Sequence, residues 1–571
     1  MPLFFLTGIE GRMLIPLGIS FIIALTASTI VALTLTPVLC SYLLTNNAGS
    51  QLGKEAWASK IIRKYYEKWL SSALLHKRAV IYSTIFMFIV AAGIAFTLGR
   101  GFLPGFNEGS FTINVSALPG ISLDESDRIG REAEKLIMSV PEINTVARKT
   151  GRAELDEHSL GVNVSEIEAP YTLDKRTRNE VADELRHKLS SIPGVSIEIG
   201  QPISHRIDAM LSGTESQIAI KVFGPDLGLL HNIGMQIKEN INGVDGIADV
   251  NVEQQVGRPQ LEIKPKRQML ARYGITMPEF IRFIDIALSG QSISQVYEDG
   301  IPYSLVLKYQ NADNATLESV NDIMIDSNKG PIPLSYVAEI NSTSGPNSIN
   351  RENVNRRIVV SANTAGRDLR GVVNDIQKNI AENIVLPDGY YITYGGQFEN
   401  EAAASRTLAI ATVASLLVIL FLLYSEFRNW TQSGIILLNM PLAMIGGILM
   451  LKITTGELNI PAIIGFISLL GIATRNGMLL ISHYNSLKQN GIPLEERIHK
   501  GSSDRLLPII MTALTSALAL VPLALRGTEP GNEIQSPMAI VILGGLITST
   551  ILNLFVVPVT YELCYRNKKE S

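Results

Sequence analysis

The stretch IPAIIGFISLLGIATRNGMLLISHY, residues 460–484, has the length and composition of a membrane-spanning helix, because about 20 mostly apolar residues suffice to cross a bilayer. Arg475 and Asn476 interrupt the run, with apolar residues on both sides. A charge at the bilayer centre costs about 2.5–3.5 kcal/mol on insertion scales, so it normally faces a bundle interior or a wet path. The sequence therefore predicts that Arg475 marks a charge pathway through a helix bundle. The alternative is that its side chain snorkels to an interface or bonds backbone carbonyls.

The composition indicates a chain divided between membrane and water. Of its 571 residues, 46% are hydrophobic and 18% are charged. This balance is too apolar for an ordinary soluble enzyme and too charged for a wholly intramembrane protein, so several domains are expected. The net charge of −4 does not favour nucleic acid as a partner. The two cysteines, Cys40 and Cys564, form neither a metal-binding spacing nor a disulfide framework.

Long apolar segments at both ends of the chain predict seven spans. They are 13–44, 79–99, 407–425, 431–451, 458–484, 505–525 and 534–561. Between the first two, Trp57, Ile61, Tyr65 and Trp69 recur every four residues among basic residues, which predicts an amphipathic helix on the membrane surface. The alternative is a soluble helix packed on its neighbours. Lysine and arginine concentrate in the short loops on one side, which the positive-inside rule places in the cytoplasm. Region 100–406 is then periplasmic in a Gram-negative cell, and the chain is a multi-pass inner-membrane protein.

Region 100–406 alternates short strands with polar helices. Four β-α-β units are predicted, with helices at 124–140, 175–192, 226–241 and 368–383 and strands at 110–117, 143–149, 161–168, 195–200, 216–223, 247–253, 357–363 and 390–394. Asp124 is expected to cap the first helix. Paired in this way, the units indicate two ferredoxin-like subdomains, and residues 254–348 form an inserted subdomain. The predicted fold is an α-helical transmembrane bundle plus an α+β periplasmic region.

A polar seam is expected along two predicted spans. Arg505 and Thr512 are seven residues apart, which puts them on one helix face about 10 Å apart. With Arg475 and Asn476 on the neighbouring span, they are candidates for a proton relay. The alternative for Thr512 is a hydrogen bond to its own helix backbone. No Asp or Glu lies deep in any predicted span, whereas membrane proton relays usually use carboxylates. The chain therefore supplies only the basic half of a relay.

Enzyme and cofactor motifs are absent from the sequence. It has no nucleophile elbow, Walker loop or HExxH motif, so we expect neither catalysis nor ATP use. Two segments are weak metal-site candidates. Glu154 and His158 lie in RAELDEHS, where carboxylate and imidazole suit Zn²⁺-like ions; an exposed acidic loop is the alternative. Asp208 and Met210 lie in HRIDAMLSG, where a thioether suits Cu⁺ or Ag⁺; simple packing is the alternative.

Several motifs together resemble the resistance–nodulation–division (RND) efflux permeases. They are GIATRNGMLLISHYN, RLLPIIMTALTSALALVPLAL, FFLTGIEG followed by LTLTPVLCSYLL, and GRGFLPGFNEGSF. Two more, GPNSINRENVNRRIVVSAN and LARYGITMPEF, resemble the heavy-metal-efflux branch of that family. The resemblance covers nearly the whole chain.

The resemblance implies a proton-driven antiporter that needs no cofactor apart from a transported metal cation. It implies a homotrimer that joins a periplasmic adaptor and an outer-membrane channel, with membrane lipid around it. The chain corresponds to the second half of such a permease plus the end of the first. Arg475 matches the basic relay position of the tenth span, and Thr512 and Arg505 match polar positions of the eleventh. Their acidic partners belong to a fourth span, so a missing N-terminal half or a companion chain is an expected partner.

The resemblance also implies a division of the chain into functional parts. These are 1–44 and 79–99 (spans), 45–78 (cytoplasmic amphipathic helix), 100–212 (first porter subdomain), 213–254 with 349–400 (second porter subdomain), 255–348 (channel-docking subdomain) and 401–571 (five-helix bundle). Copper and silver exporters of this branch use three methionines, and the matching positions here are Ala209, Ile275 and Ser348. We therefore expect divalent cations or a non-metal substrate. Two other readings are a truncated fragment that does not transport, and a protein-translocation accessory, which would have fewer spans.

Overall fold

The computed structural model describes residues 2–6, 8–43, 57–151, 161–212, 216–253, 257–310, 316–346, 348–527, 529 and 531–566. In these residues, seven helical segments are long and apolar enough to cross a membrane. Each overlaps one of the seven spans predicted from the sequence.

Four helices precede the first sheet. They are α1 (Gly8–Leu33), α2 (Leu35–Leu43), α3 (Trp57–Leu75) and α4 (Lys77–Ala95), followed by the short strand β1 (Gly99–Arg100). The first predicted span is divided at Thr34 because Pro37 has no N–H to bond the carbonyl of Leu33. The predicted amphipathic helix is α3, and it packs on the bundle through Tyr66 and Leu70.

The first α+β unit is a four-stranded antiparallel sheet covered by helices. Its elements are β2 (Ser110–Ser116), α5 (Leu123–Met138), β3 (Ala147–Thr150), β4 (Val164–Pro170), α6 (Arg178–Leu189), β5 (Ser196–Gly200) and α7 (Pro202–Ser212). The strand order is β3-β4-β2-β5, the arrangement of a βαββαβ unit. The predicted cap Asp124 is wrong, because Ser122 accepts the hydrogen bond from the amide of Glu125.

The second unit repeats this arrangement. Its elements are β6 (Ile218–Phe223), α8 (Leu227–Ile241), β7 (Ile247–Val252), β14 (Arg351–Glu352), β15 (Asn355–Thr364), α13 (Leu369–Asn383) and β16 (Tyr391–Gly396). Strand β6 lies between β15 and β16, and β7 pairs with β15. Asp226 and Asp368 cap the two helices with their side chains. Apolar residues on the helix-facing side of each sheet form separate cores.

An insertion with its own core separates β7 from β14. Its elements are β8 (Gly257–Pro265), α9 (Arg267–Tyr273), α10 (Met277–Ile284), β9 (Gln291–Glu298), β10 (Ile301–Leu307), α11 (Leu317–Asn321), β11 (Met324–Ile325), β12 (Ile332–Pro333), α12 (Leu334–Val337) and β13 (Ala338–Pro346). Strands β8 and β13 pair along their whole length. Strands β9 and β10 form a hairpin in which every residue is exposed.

The C-terminal part of the chain is a bundle of long helices. They are α14 (Gln397–Phe427), α15 (Trp430–Leu437), α16 (Asn439–Ile453), α17 (Ile460–Gln489), α18 (Leu494–Leu525) and α19 (Gln535–Tyr565). A break at Leu438 divides the fourth predicted span, because Pro441 cannot bond the carbonyl of Leu437. Between α16 and α17, the strand β17 (Glu457–Leu458) pairs in parallel with β1 and joins the bundle to the α+β region.

Helices α16 and α19 touch backbone to backbone. A Cβ added to Gly446 would lie 2.0 Å from the carbonyl oxygen of Gly544, and one added to Gly544 would lie 2.3 Å from that of Gly446. Real Cβ atoms do not approach so closely. Small residues at such positions are the usual device for close packing of apolar helices.

Candidate functional site

Arg475 lies at the middle of α17. The helix begins after Asn459, whose side-chain oxygen accepts a hydrogen bond from the amide of Ala462. Arg475 is 15 residues from Ile460 and 14 from Gln489, so about 20 Å of helix extends on either side of it. Its side chain lies on the surface of the bundle. It makes no hydrogen bond or ion pair with the part of the chain that the structure describes.

Helices α17 and α18 run antiparallel, and two contacts fix their register. The hydroxyls of Tyr484 and Ser502 are 2.5 Å apart, and Nε2 of His483 lies 3.3 Å from Oδ2 of Asp504. Continuing this register at equal rise along both helices puts Arg475 level with residues 511–512. The structure therefore brings Arg475 and Thr512 to one depth on neighbouring helices.

Thr512, Arg505 and Asn476 each lie in a different environment. Oγ1 of Thr512 donates to the carbonyl of Ile509 over 3.0 Å, which is the backbone bond named as its alternative. Arg505 is half-buried about two helical turns before Thr512 in α18, and its Nε is buried without a hydrogen-bond partner among the described residues. Asn476 points into the bundle, with only 1% of its surface exposed. The relay role of these four residues stays a prediction.

Two further asparagines lie buried in the bundle and did not emerge from the sequence. Asn439 of α16 and Asn553 of α19 are, like Asn476, 1% exposed. Both amide atoms of Asn439 and of Asn553, and Oδ1 of Asn476, lack a hydrogen-bond partner among the described residues. A buried unsatisfied amide costs about 1–3 kcal/mol, so such groups normally bind ordered water. The sequence does show Asn439 and Asn553 within apolar runs, but an uncharged residue there is easily overlooked beside a charged one.

The helix contacts put these asparagines at similar depth. A Cβ added to Gly477 would lie 2.1 Å from Nδ2 of Asn439, so Asn439 lies against the residue after Asn476. Oγ1 of Thr548 lies 3.4 Å from the carbonyl of Ala443. In antiparallel helices this contact puts Asn439 level with residue 552, next to Asn553. We name the three asparagines the asparagine layer.

The structure does not test the two weak metal-site candidates, which stay a prediction. Glu154 and His158 lie outside the described residues. Asp208 and Met210 lie on the C-terminal half of α7, and only their backbone is described. Among the described residues, no group of three or more His, Cys, Asp or Glu could hold a metal ion.

A cavity of about 630 Å³ separates the two α+β units above the bundle. One wall is formed by α6, the end of β5 and the start of α7, and the other by residues of the second unit that include Asn363 and Arg367. The loop 101–106 and Glu457 close its base. Arg186 and Asp249 join the two walls, with Nε–Oδ1 and Nη2–Oδ2 distances of 2.9 and 3.0 Å. The cavity therefore lies where the two units meet the bundle.

Burial shifts the pKa of two residues that line the cavity, His205 and Glu457. Burial lowers the pKa of His205 to about 4, so this imidazole is neutral at pH 7. Burial and the neighbouring carboxylate of Asp368 raise the pKa of Glu457. None of the described lining residues carries sulfur. The described lining combines the carboxylates of Asp183 and Glu457, the imidazole of His205 and several amides with three guanidinium groups, those of Arg178, Arg186 and Arg367.

Residues 1–565 match the AcrB/AcrD/AcrF family along their whole length. The chain belongs to that family. This chain is 32% identical to the cation efflux system protein CzcA of Alcaligenes sp. (strain CT14), over 100% of its own length and 55% of that protein. It is 34% identical to the protein HelA of Legionella pneumophila, again over 100% of itself and 55% of the relative. Identity to the cation efflux system protein CusA of Escherichia coli K12 is 28%, over 99% of the chain and 55% of that protein.

The solved structures agree with these relatives. A crystal structure of a heavy metal efflux pump matches with a TM-score of 0.85 and 27% identity, covering 99% of this chain and 57% of that one. The chain thus has the fold of a heavy-metal efflux pump, and the predicted resemblance to the heavy-metal branch of the RND permeases is confirmed. It spans about half the length of the curated relatives it matches.

Proposed function

We propose that this chain is the C-terminal half of a proton-driven RND permease that exports divalent metal cations. The observation that carries the proposal is Arg475. Its guanidinium lies at mid-depth in an apolar helix, on a bundle surface, with no acidic partner in the described chain. Because a charge at this depth needs a partner, a carboxylate from the absent half of the pump would complete it. Snorkelling is the weaker alternative, since about 20 Å of helix lies on either side.

In this mechanism the guanidinium of Arg475 alternates between a paired and an unpaired state. It pairs with the carboxylate of the absent half when that group is ionised, and it loses the attraction when the carboxylate takes a proton. Thr512, at the same depth, is positioned to release its backbone bond and share a water with Arg475. Arg505 would continue the path toward the cytoplasm.

The α+β region supports the export part of the proposal. The two units are ferredoxin-like porter subdomains, and the cavity between them is the substrate cleft. Its carboxylate and imidazole donors, which share the cavity with three arginines and with no sulfur among the described lining residues, favour Zn²⁺, Co²⁺ or Cd²⁺ over Cu⁺. The relatives named for cation efflux support export of a cation.

The assembly part of the proposal rests on the insertion. Every residue of the hairpin β9–β10 is exposed, including Ile293, Tyr297 and Leu305. Exposed apolar hairpins of this kind mark contacts with another protein. We assign the hairpin β9–β10 to a contact with the neighbouring subunit of a trimer. The adaptor and the outer-membrane channel would bind beyond it in the periplasm. The location is the inner membrane, with region 100–406 in the periplasm.

Proton transport by the complete protein tests the proposal. The chain is produced with an N-terminal half from a 32% identical relative, reconstituted into vesicles with a pH-sensitive dye inside, and supplied with Zn²⁺. We expect Arg475→Ala to abolish zinc-driven proton movement and Arg475→Lys to keep part of it. Arg526→Ala is the matched control, because Arg526 is exposed and, among the described residues, pairs only with Glu529, three residues further on. Unchanged proton movement in Arg475→Ala would refute the relay.

A further inference from the structure

We propose that the outward face of α3 binds anionic phospholipid headgroups. The inference rests on the membrane placement given under the proposed function, and adds the class of lipid and the residues that recognise it.

The outward face carries a stripe of large aromatic side chains. Trp57, Tyr65 and Trp69 are 80%, 64% and 65% exposed, and their spacing of four and eight residues aligns them along one side of the helix. Tryptophan and tyrosine with an apolar body and a polar edge concentrate at the headgroup level of bilayers. Exposed aromatic area of this size in water is costly, so a bilayer boundary explains it.

A stripe of lysines runs beside the aromatic one. Lys60, Lys64 and Lys68 are exposed, and none makes a hydrogen bond or ion pair with a described residue. The one acidic side chain in α3, that of Glu67, is held by Ser503 and Arg63. The outward face therefore presents three positive charges that no described residue compensates, and its complement is an anionic surface.

The inward face fixes α3 beside the start of the predicted span 505–525, because Arg63 pairs with Asp504, the residue before that span. Tyr66 donates a hydrogen bond to the carbonyl of Leu554 over 2.9 Å, and Leu70 and Leu74 are buried in the bundle. Helix α3 ends at Leu75, and the apolar helix α4 begins two residues later. The lysine ammonium groups are thus held at the bilayer surface, within reach of phosphate oxygens. One lysine near an anionic surface contributes about a five-fold preference, and three contribute on the order of 100-fold.

Tryptophan fluorescence gives a direct test, because the chain has only three tryptophans. Trp430→Phe keeps an aromatic ring stacked on Tyr424 and leaves only the two tryptophans of α3 to report. The 571-residue Trp430→Phe chain is reconstituted into vesicles that contain brominated phosphatidylglycerol or brominated phosphatidylcholine, which quench tryptophan on contact. We expect half-maximal quenching at an at least five-fold lower mole fraction of the brominated anionic lipid.

Lysine variants separate charge recognition from simple insertion. In the same background, K60Q/K64Q/K68Q should remove the preference for phosphatidylglycerol. The control K488Q/K500Q removes two exposed lysines outside α3 and should keep it. Equal quenching by both lipids in the starting chain would overturn the inference and leave the membrane placement intact. Quenching by neither lipid would also overturn it, because another protein or a second copy would then cover the face. Neither outcome bears on the proton-transport assay with Arg475→Ala.

Discussion

A buried ion pair ties the second α+β unit to the bundle, and its two members should respond unequally to removal. Arg370 of α13 donates through Nη2 to Oε2 of Glu401 in the first turns of α14. Oγ of Ser405 donates to the other carboxylate oxygen over 2.8 Å. The side chain of Glu401 is 3% exposed and that of Arg370 is 29% exposed. Removing Arg370 therefore strands a dry carboxylate, whereas removing Glu401 strands a guanidinium that water reaches.

The magnitudes follow from this difference in exposure. Breaking a buried pair by deleting one partner costs about 3–5 kcal/mol. We expect Arg370→Ala to lie near the upper end, unless Glu401 takes up a proton, and Glu401→Ala to cost about 2–3 kcal/mol because Arg370 rehydrates. The double variant should cost about 2 kcal/mol less than the sum of the two. Asp375→Ala, which breaks the exposed pair with Arg367, is the control and should cost less than about 1 kcal/mol.

The assay is unfolding of the detergent-solubilised chain by titration with SDS, followed by circular dichroism. Hydrogen exchange at the start of α14 shows whether the loss is local. Additive single-variant costs, or a larger loss for Glu401→Ala than for Arg370→Ala, would refute the reasoning.

Two further predictions concern packing and pH. Gly446→Ala should destabilise the bundle by at least 1–3 kcal/mol, because the new methyl group would meet a backbone oxygen that cannot move aside; Gly471→Ala, where nothing lies within 4 Å, should be neutral or stabilising by up to about 1 kcal/mol, and SDS titration compares the two. The pKa of His205 is about 4 in the folded chain and about 6.5 in the unfolded chain; the unfolded state therefore binds the proton first, so stability is full above pH 6.5 and falls by about 2 kcal/mol at pH 5. Thermal melts at pH 7 and pH 5 should show this loss in the parent chain but not in His205→Gln, and equal losses in both would contradict it.

The sequence predicted the α+β elements closely where one residue could cap each helix. Asp226 and Asp368 each stand alone before an apolar pattern, and both are N-caps. Ser122 and Asp124 compete for the same helix. The hydroxyl of Ser122 takes the cap, and Asp124 falls in the first turn, where its charge favours the helix dipole.

The helix breaks were also encoded in the sequence but were not predicted. Thr34 and Leu438 each lie three residues before a proline, Pro37 and Pro441, and each breaks a predicted span. Proline alone does not decide the matter, since Pro558 lies inside an unbroken α19. Packing against neighbouring helices settles which sites bend, and that information is not local.

Only part of the candidate site could be predicted from the sequence. The depth of Arg475 follows from its place in an apolar run, and its level relative to Thr512 follows from the register of α17 and α18. The asparagine layer and the Arg370–Glu401 pair join residues far apart in the chain. Such contacts depend on how elements pack, which no local pattern of residues specifies.

The contact of Gly446 with Gly544 limits how the bundle can move. No side-chain atoms separate the two backbones, so α16 and α19 cannot slide past each other without a backbone clash. We therefore expect the two helices to move together as one rigid unit. Any larger rearrangement of the bundle then falls to helices whose surfaces are less covered within the described chain, α14 and α18 among them. One of these, α14, runs without a break from the sheet of the second unit through the bundle. A tilt of α14 at the second α+β unit would therefore also tilt its end in the bundle, and the reverse.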